Sequence, residues 1–417
     1  MTPLEVNSGD TAWILTSAAL VLLMTPGLAL FYGGMVRRKA VLNMMMMSFA
    51  ALAIVSVLWV LYGYSMAFGD DIGFGLLGNP LQYFGLTELL ADDGSSLPTL
   101  AFVGFQAVFA VITVALISGA IADRAKFGTW LIFVAVWATV VYFPVAHWVF
   151  DFDSEGHVGG WIANQLAAID FAGGTAVHIN AGAAALALAI VLGRRHDWRS
   201  ADMRPHNMPL VMLGAGLLWF GWFGFNAGSA LTAGHTAAFA WINTLAAGGA
   251  ATLGWLFTER IRDKRFSSLG AASGIVAGLV AITPAANAVD PIGAILLGLI
   301  SGVLCCLAIG LKFRLGYDDS LDVVGVHLIG GLAGTLLIGL LASPAAPAGV
   351  AGLLYGGGLD QLWRQAVGAG AVLIGSFVVT YAIGWVLQRT IGFRADPEHE
   401  VAGIDSSHRE DAYDLAD

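Results

Sequence analysis

Long apolar runs alternate with short polar segments along the whole chain. Eleven runs stand out, near residues 12–35, 41–68, 99–122, 128–150, 170–192, 208–231, 236–258, 268–286, 290–313, 322–342 and 366–388. A helix of about 20 apolar residues spans a hydrocarbon core roughly 30 Å thick. Strands of a membrane barrel would be about half as long and would alternate apolar with polar positions. The pattern therefore predicts an all-α polytopic membrane protein with eleven transmembrane helices. The first run begins near Trp13 without the cationic segment of a signal peptide, so it is read as a retained span.

Charge supplies the expected orientation, because Lys and Arg close to span ends stay on the cytoplasmic side. They cluster after each odd span: Arg37, Arg38 and Lys39; Arg124 and Lys126; Arg194, Arg195, Arg199 and Arg204; Arg260, Arg262, Lys264 and Arg265; Lys312 and Arg314; Arg389 and Arg394. The intervening loops are acidic or neutral, with Asp70, Asp71, Glu88, Asp92 and Asp93 in one and Asp151, Asp153 and Glu155 in another; Arg364 is the exception. The amino terminus is expected outside and the carboxyl terminus in the cytoplasm. Residues 1–388 form the expected membrane domain, and 389–417 a cytoplasmic tail, read either as a docking segment for a cytosolic partner or as a solvated, partly disordered terminus.

Composition narrows the function. The 417 residues are 58% hydrophobic and 12% charged, where soluble domains carry about 25% charged residues. The formal charge of -10 resides in the short polar segments, and no basic stripe suits nucleic acid. Cys305 and Cys306, the only cysteines, are adjacent in an apolar run and offer neither a disulfide framework nor metal-ligand spacing. No phosphate-binding loop, metal cluster or nucleophile with a base at helical spacing is found, so no cofactor, no metal and no enzymatic activity are expected.

An ionisable residue inside a span is a functional candidate by default. Asp170 precedes His178 by eight residues in span five, with Val177 before the histidine and Gly182 four residues after it; Asp319, Val326, His327 and Gly331 repeat that arrangement in span ten. Five spans separate the copies. An odd number inserts the second copy from the opposite side, which makes residues 12–192 and 208–342 an inverted repeat, with the span at 366–388 added outside it. Such repeats hold their transport site between the halves near the midplane. His178 and His327 are thus expected to face one another, and Asp170 is read as a helix-start cap whose charge also favours a nearby cation.

Two neutral imidazoles can share a hydrogen bond and still present polar nitrogens to a small solute, and burial favours the neutral form. Deprotonating an alkylammonium-like cation at neutral pH costs roughly 5 kcal/mol. Burying an unpaired ion in a low-dielectric interior costs up to tens by idealised solvation. A histidine-lined apolar path therefore suits ammonia better than a bare cation, with proton transfer left as a separate question.

Asp170–Asn180 (DFAGGTAVHIN), Gly221–Ala230 (GWFGFNAGSA), the GVH ending at His327, Pro205–Pro209 (PHNMP) and Ile282–Ala285 (ITPA) together resemble the ammonium transporter (Amt/Mep/Rh) family over most of the chain. The resemblance implies a homotrimer in the plasma membrane with one pore per subunit and no cofactor. It implies that His178 and His327 are twin pore histidines, that Phe109 and Phe225 form a phenyl gate, and that Ser229, Phe109, Phe150 and Asp170 belong to an ammonium recruitment site. Trp222 and Thr283 are read as pore-lining or packing residues. The family commonly carries Trp where Phe150 stands, three residues after His147, and Trp148 does not share the face of Phe150. A cytosolic PII-type signal protein is the partner that the resemblance implies for the tail and inner loops. The alternatives are an ammonium sensor signalling through a cytosolic partner and an Rh-like channel for neutral ammonia or carbon dioxide. His157 and His235, in outward loops, read as solvated surface residues.

Overall fold

A computed structural model of the protein describes residues 5–91, 94–196, 198–199, 204–408 and 411–413, so Asp92 and Asp93 lie outside the described residues. Among these the chain is helical, with no β-strand. A helix stands on each apolar run: α1 (Ser8–Met35), α2 (Arg38–Phe68), α3 (Thr99–Ile121), α4 (Phe127–Phe150), α5 (Gly174–Leu192), α6 (Met208–Gly228), α7 (His235–Arg262), α8 (Ser268–Ile282), α9 (Pro291–Leu315), α10 (Val324–Leu341) and α11 (Asp360–Thr390). Among the described residues nine of them, all but α7 and α8, are long and apolar enough to cross a membrane. The Gly, Asn and Thr residues of α7 lower its hydropathy, and α8 has only 15 residues. The apolar run 268–286 outlasts its helix because Pro284 supplies no amide hydrogen to continue the ladder.

Sequence signals explain the helix starts. The Asn7 side chain accepts from the amides of Gly9 and Asp10 at 3.0 and 3.1 Å, and Asn207 accepts from Leu210 at 3.0 Å. Asp290 accepts from Gly293 at 2.8 Å, with Pro291 already at the helical angle. Helix packing then relies on small residues, since lipid offers no hydrophobic drive between helices. Along α6, Gly214, Gly221 and Gly228 bring its backbone onto α1, where a Cβ would lie 2.4 Å from Phe31 N, 2.3 Å from Met24 Cγ and 2.6 Å from Ser17 Cβ respectively.

The loops carrying Asp70, Asp71, Asp151 and Asp153 gather at one end of the helices, called here the acidic end, and those carrying Arg37, Arg124 and Arg195 at the other, basic end. At the basic end the buried Arg195 pairs with Asp318 at 2.9 Å and with Asp123 at 3.0 Å. The same end receives the tail. Arg394 pairs with Glu400 at 2.9 Å, Arg37 donates to the Glu400 carbonyl at 2.9 Å, and Asp405 accepts from the Asn43 amide at 2.8 Å. A short helix, α12 (Pro397–Ala402), lies between these contacts. Residues 393–408 are therefore folded onto the protein itself, which replaces the solvated-terminus reading of that stretch.

Candidate functional site

The two Asp–His segments are built alike. Ahead of α5, Gly173 adopts φ +113°, a conformation that glycine accepts readily, and turns its own amide and the next three toward Asp170. Asp170 accepts from the amides of Gly173, Gly174, Thr175 and Ala176 at 2.8, 2.6, 2.8 and 3.1 Å, and from the Thr175 hydroxyl. Ahead of α10, Asp319 accepts from Val323 and Val324 at 3.1 and 2.8 Å. Each histidine then sits in a widened π turn, Gly174–Ile179 or Val324–Leu328, a feature frequent at functional sites. The glycines that follow let the segments cross: a Cβ at Gly182 would lie 2.5 Å from Leu328 N, and one at Gly331 would lie 3.2 Å from His178 Cβ.

At this crossing the two rings lie 5.3 Å apart between centroids, nearly parallel, with Nδ1 to Nδ1 at 3.3 Å. Only one of those nitrogens can donate, so the rings hold complementary tautomers and cannot both be protonated. His178 Nε2 is buried and has no hydrogen-bond partner.

Around the pair lies a small apolar pocket of about 10 Å³, walled by Phe31, Ile112, Leu116, Phe225 and Trp222. That is near the least volume that holds one water. The Trp222 ring stacks on His178 at 5.4 Å, and its indole donates to Thr283 Oγ1 at 2.8 Å. Trp222 therefore lines this pocket, and the buried Thr283 holds its indole in place.

Toward the acidic end, Phe225 stacks on Phe109 with centroids 4.1 Å apart. Beyond them opens a cavity of about 660 Å³ lined by Phe105, Phe109, Phe150, His157, Asp170 and Ser229, among others. Phe150 meets Phe109 edge-on at 6.4 Å. Trp148 turns elsewhere, its indole donating to the Leu76 carbonyl at 2.7 Å. Ser229 Oγ donates to the Phe225 carbonyl at 2.8 Å, which spends its hydrogen and leaves the oxygen lone pairs to accept. Toward the basic end a cavity of about 590 Å³ is lined by Met35, Arg195, Arg262, Lys312 and Asp322.

His157 differs from the sequence reading. It is not a solvated surface group: Nδ1 lies 2.9 Å from Asp70 Oδ1, and Nε2 lies 2.9 Å from Asp151 Oδ2. Partial burial disfavours the charged ring, but the hydrogen bonds to Asp70 and Asp151 outweigh it and hold the imidazolium above the ordinary histidine range. The hydrogen bond from His157 likewise holds Asp70 below the usual carboxylate range. No local spacing signals this bridge, because Asp70 is 87 residues away in the chain. His235 is exposed, as expected.

A bundle of helices long and apolar enough to cross a membrane, with a cavity toward each end and a small apolar pocket around two buried histidines, has the architecture of a multi-pass membrane transporter. The pattern described as the Ammonium Transporter Family matches residues 12–413. An ammonium transporter of Mycobacterium tuberculosis strain H37Rv is 61% identical, covering 98% of this chain and 91% of its own, and one of Aquifex aeolicus is 48% identical over 99% and 95%. Among solved structures, one described as a sensor Amt protein superposes with TM-score 0.88 at 30% identity, covering 96% of this chain and 98% of its own. Candida albicans Mep2 superposes with TM-score 0.86 at 33% identity over 95% and 88%. The chain belongs to the ammonium transporter family.

Proposed function

We propose that the protein moves ammonium nitrogen across the plasma membrane as ammonia, through the passage that holds His178 and His327. The observation that carries this reading is the pair itself. Two buried imidazoles in mutual contact, one with an unpartnered nitrogen, stand in an apolar constriction between two vestibules. A buried polar atom without a partner calls for a functional account, and a transient hydrogen bond to a passing solute supplies one.

In this reading the acidic end faces outward and the basic end the cytoplasm, with eleven spans, five-plus-five repeat halves at 12–192 and 208–342, and an added span at 366–388. Residues 389–417 form the cytoplasmic tail. Ammonium enters the outer cavity, where the faces of Phe109 and Phe150 attract a cation and the Ser229 oxygen accepts from an ammonium hydrogen. Asp170 contributes charge without direct contact, since both of its oxygens are engaged by the start of α5. The cation gives up its proton in the outer cavity, Phe109 and Phe225 part, and ammonia crosses along the imidazoles as a hydrogen-bonding neutral solute, while the proton follows by a separate transfer, so that net charge moves. Assembly as a homotrimer, and a PII-type protein docking at the tail and inner loops, complete the proposal.

The test is ammonium-evoked uptake and current in proteoliposomes containing the purified chain. A saturable response is expected, and a response no larger than that of empty vesicles overturns the reading. The similarity to a protein described as a sensor favours a second role, an ammonium sensor, which would show binding without that response. Within the recruitment site, Phe150→Trp replaces a phenyl with the stronger cation-attracting ring, worth about 0.5–1 kcal/mol. The apparent KM for ammonium is expected to fall about two- to fivefold. An unchanged KM would remove Phe150 from the site.

A further inference from the structure

The outer cavity carries a charged cluster that the transport path does not use. His157, in the loop after α4, lines the cavity and joins Asp70, from the loop after α2, to Asp151, at the end of α4. Asp151 also lines the cavity and lies 3.2 Å from His147 Nδ1; His147 Nε2 is 3.4 Å from Asp71. Asp153, which accepts from the Gly159 amide at 2.7 Å, sits beside the cluster, and Glu155 shares the turn that carries His157. Tyr83 is within electrostatic reach of Asp70, Asp151 and Glu88, and Asp170 stands farther along the same cavity wall.

This arrangement is not a solvated ion pair. A single ring uses both nitrogens on carboxylates of separate segments, one of them nearly buried, and so both must carry hydrogen for the bridge to be complete. The bridge is thus an imidazolium between two carboxylates, with a net charge of one negative unit in place of two. Loss of its proton breaks one of the two bonds and leaves a doubly negative wall on the cavity.

We propose that His157 sets the ammonium affinity of the outer cavity: with its proton it cancels one of the two carboxylates it bridges, and without it the pair attracts the arriving cation. The residue is a positioning and affinity-setting group and does not touch the passage. The inference rests on recruitment at this cavity as proposed above. The direction of the pH response follows from the bridge. Two carboxylate bonds hold the proton on the ring above the ordinary histidine range, so the attraction increases as pH rises through that raised range. More ammonium is then captured under conditions where less of the total nitrogen is protonated.

The test is the apparent KM for ammonium in proteoliposomes, measured from concentration series expressed as the free ammonium cation, with the outer pH varied over about 6 to 9. For the native chain KM is expected to fall about fivefold across that range, with little change in maximal rate. H157Q has no titrating group at the bridge and is expected to show the low KM throughout, about fivefold below native at the acid end. H157K keeps a fixed positive charge and is expected to show the high KM throughout. Thermal stability in detergent, measured for both variants, reports whether the loops remain joined. A pH profile of KM that survives in H157Q, or a shift of KM in the same direction in both variants, overturns the inference while leaving the recruitment site standing. Absence of a saturable response in the native chain overturns both.

Discussion

Asp170→Ala is expected to yield little folded protein. The carboxylate serves four backbone amides and the Thr175 hydroxyl at the start of α5, all buried. Each buried donor left without a partner costs about 1–3 kcal/mol. Even if rearrangement rescues half of them, the loss is about 5 kcal/mol, comparable with the whole stability of an ordinary domain. The φ of +113° at Gly173 holds the amides in their nest and limits that rearrangement. Asp170→Asn retains one accepting oxygen and is expected to be milder. Fluorescence-detected size exclusion with a thermal ramp measures both. A native melting temperature in Asp170→Ala would show that the nest is satisfied some other way and would withdraw the capping account.

The second large effect is functional. His178→Ala or His327→Ala removes half of the imidazole–imidazole contact inside the narrow apolar pocket and leaves the partner ring without its 3.3 Å neighbour. A lost hydrogen bond of about 0.5–1.5 kcal/mol for the crossing solute corresponds to roughly a two- to tenfold change in conduction or in selectivity over potassium. Folding is expected to persist, because the crossing of α5 and α10 rests on Gly182 and Gly331 rather than on the rings. Electrical recording with ammonium pulses, and then with potassium, distinguishes the native chain from each variant. Unaltered current and selectivity in both variants, with oligomers of native size, would detach the histidines from the path.

Much of this was legible in the chain alone because a bilayer leaves few options. Backbone groups must be satisfied within each segment, so hydropathy announces helices, and charged residues leave the core unless they serve a purpose. His178 and His327 stood out for that reason, and the motifs around them carried the family. The limits were local. The run ending at residue 286 was longer than its helix because hydropathy does not register that Pro284 ends the ladder.

What only the tertiary structure decided concerns partners distant in sequence. Trp222 is fixed by Thr283, 61 residues away, and the tail is held through pairs such as Arg37 with Glu400. Ser229 becomes an acceptor because the Phe225 carbonyl takes its hydrogen, and His157 is a bridge because two loops converge on it. Apolar periodicity identifies the segments that enter the membrane. The polar partner that each side chain meets depends on how those segments cross and where the loops return, and neither quantity is encoded by spacing along the chain.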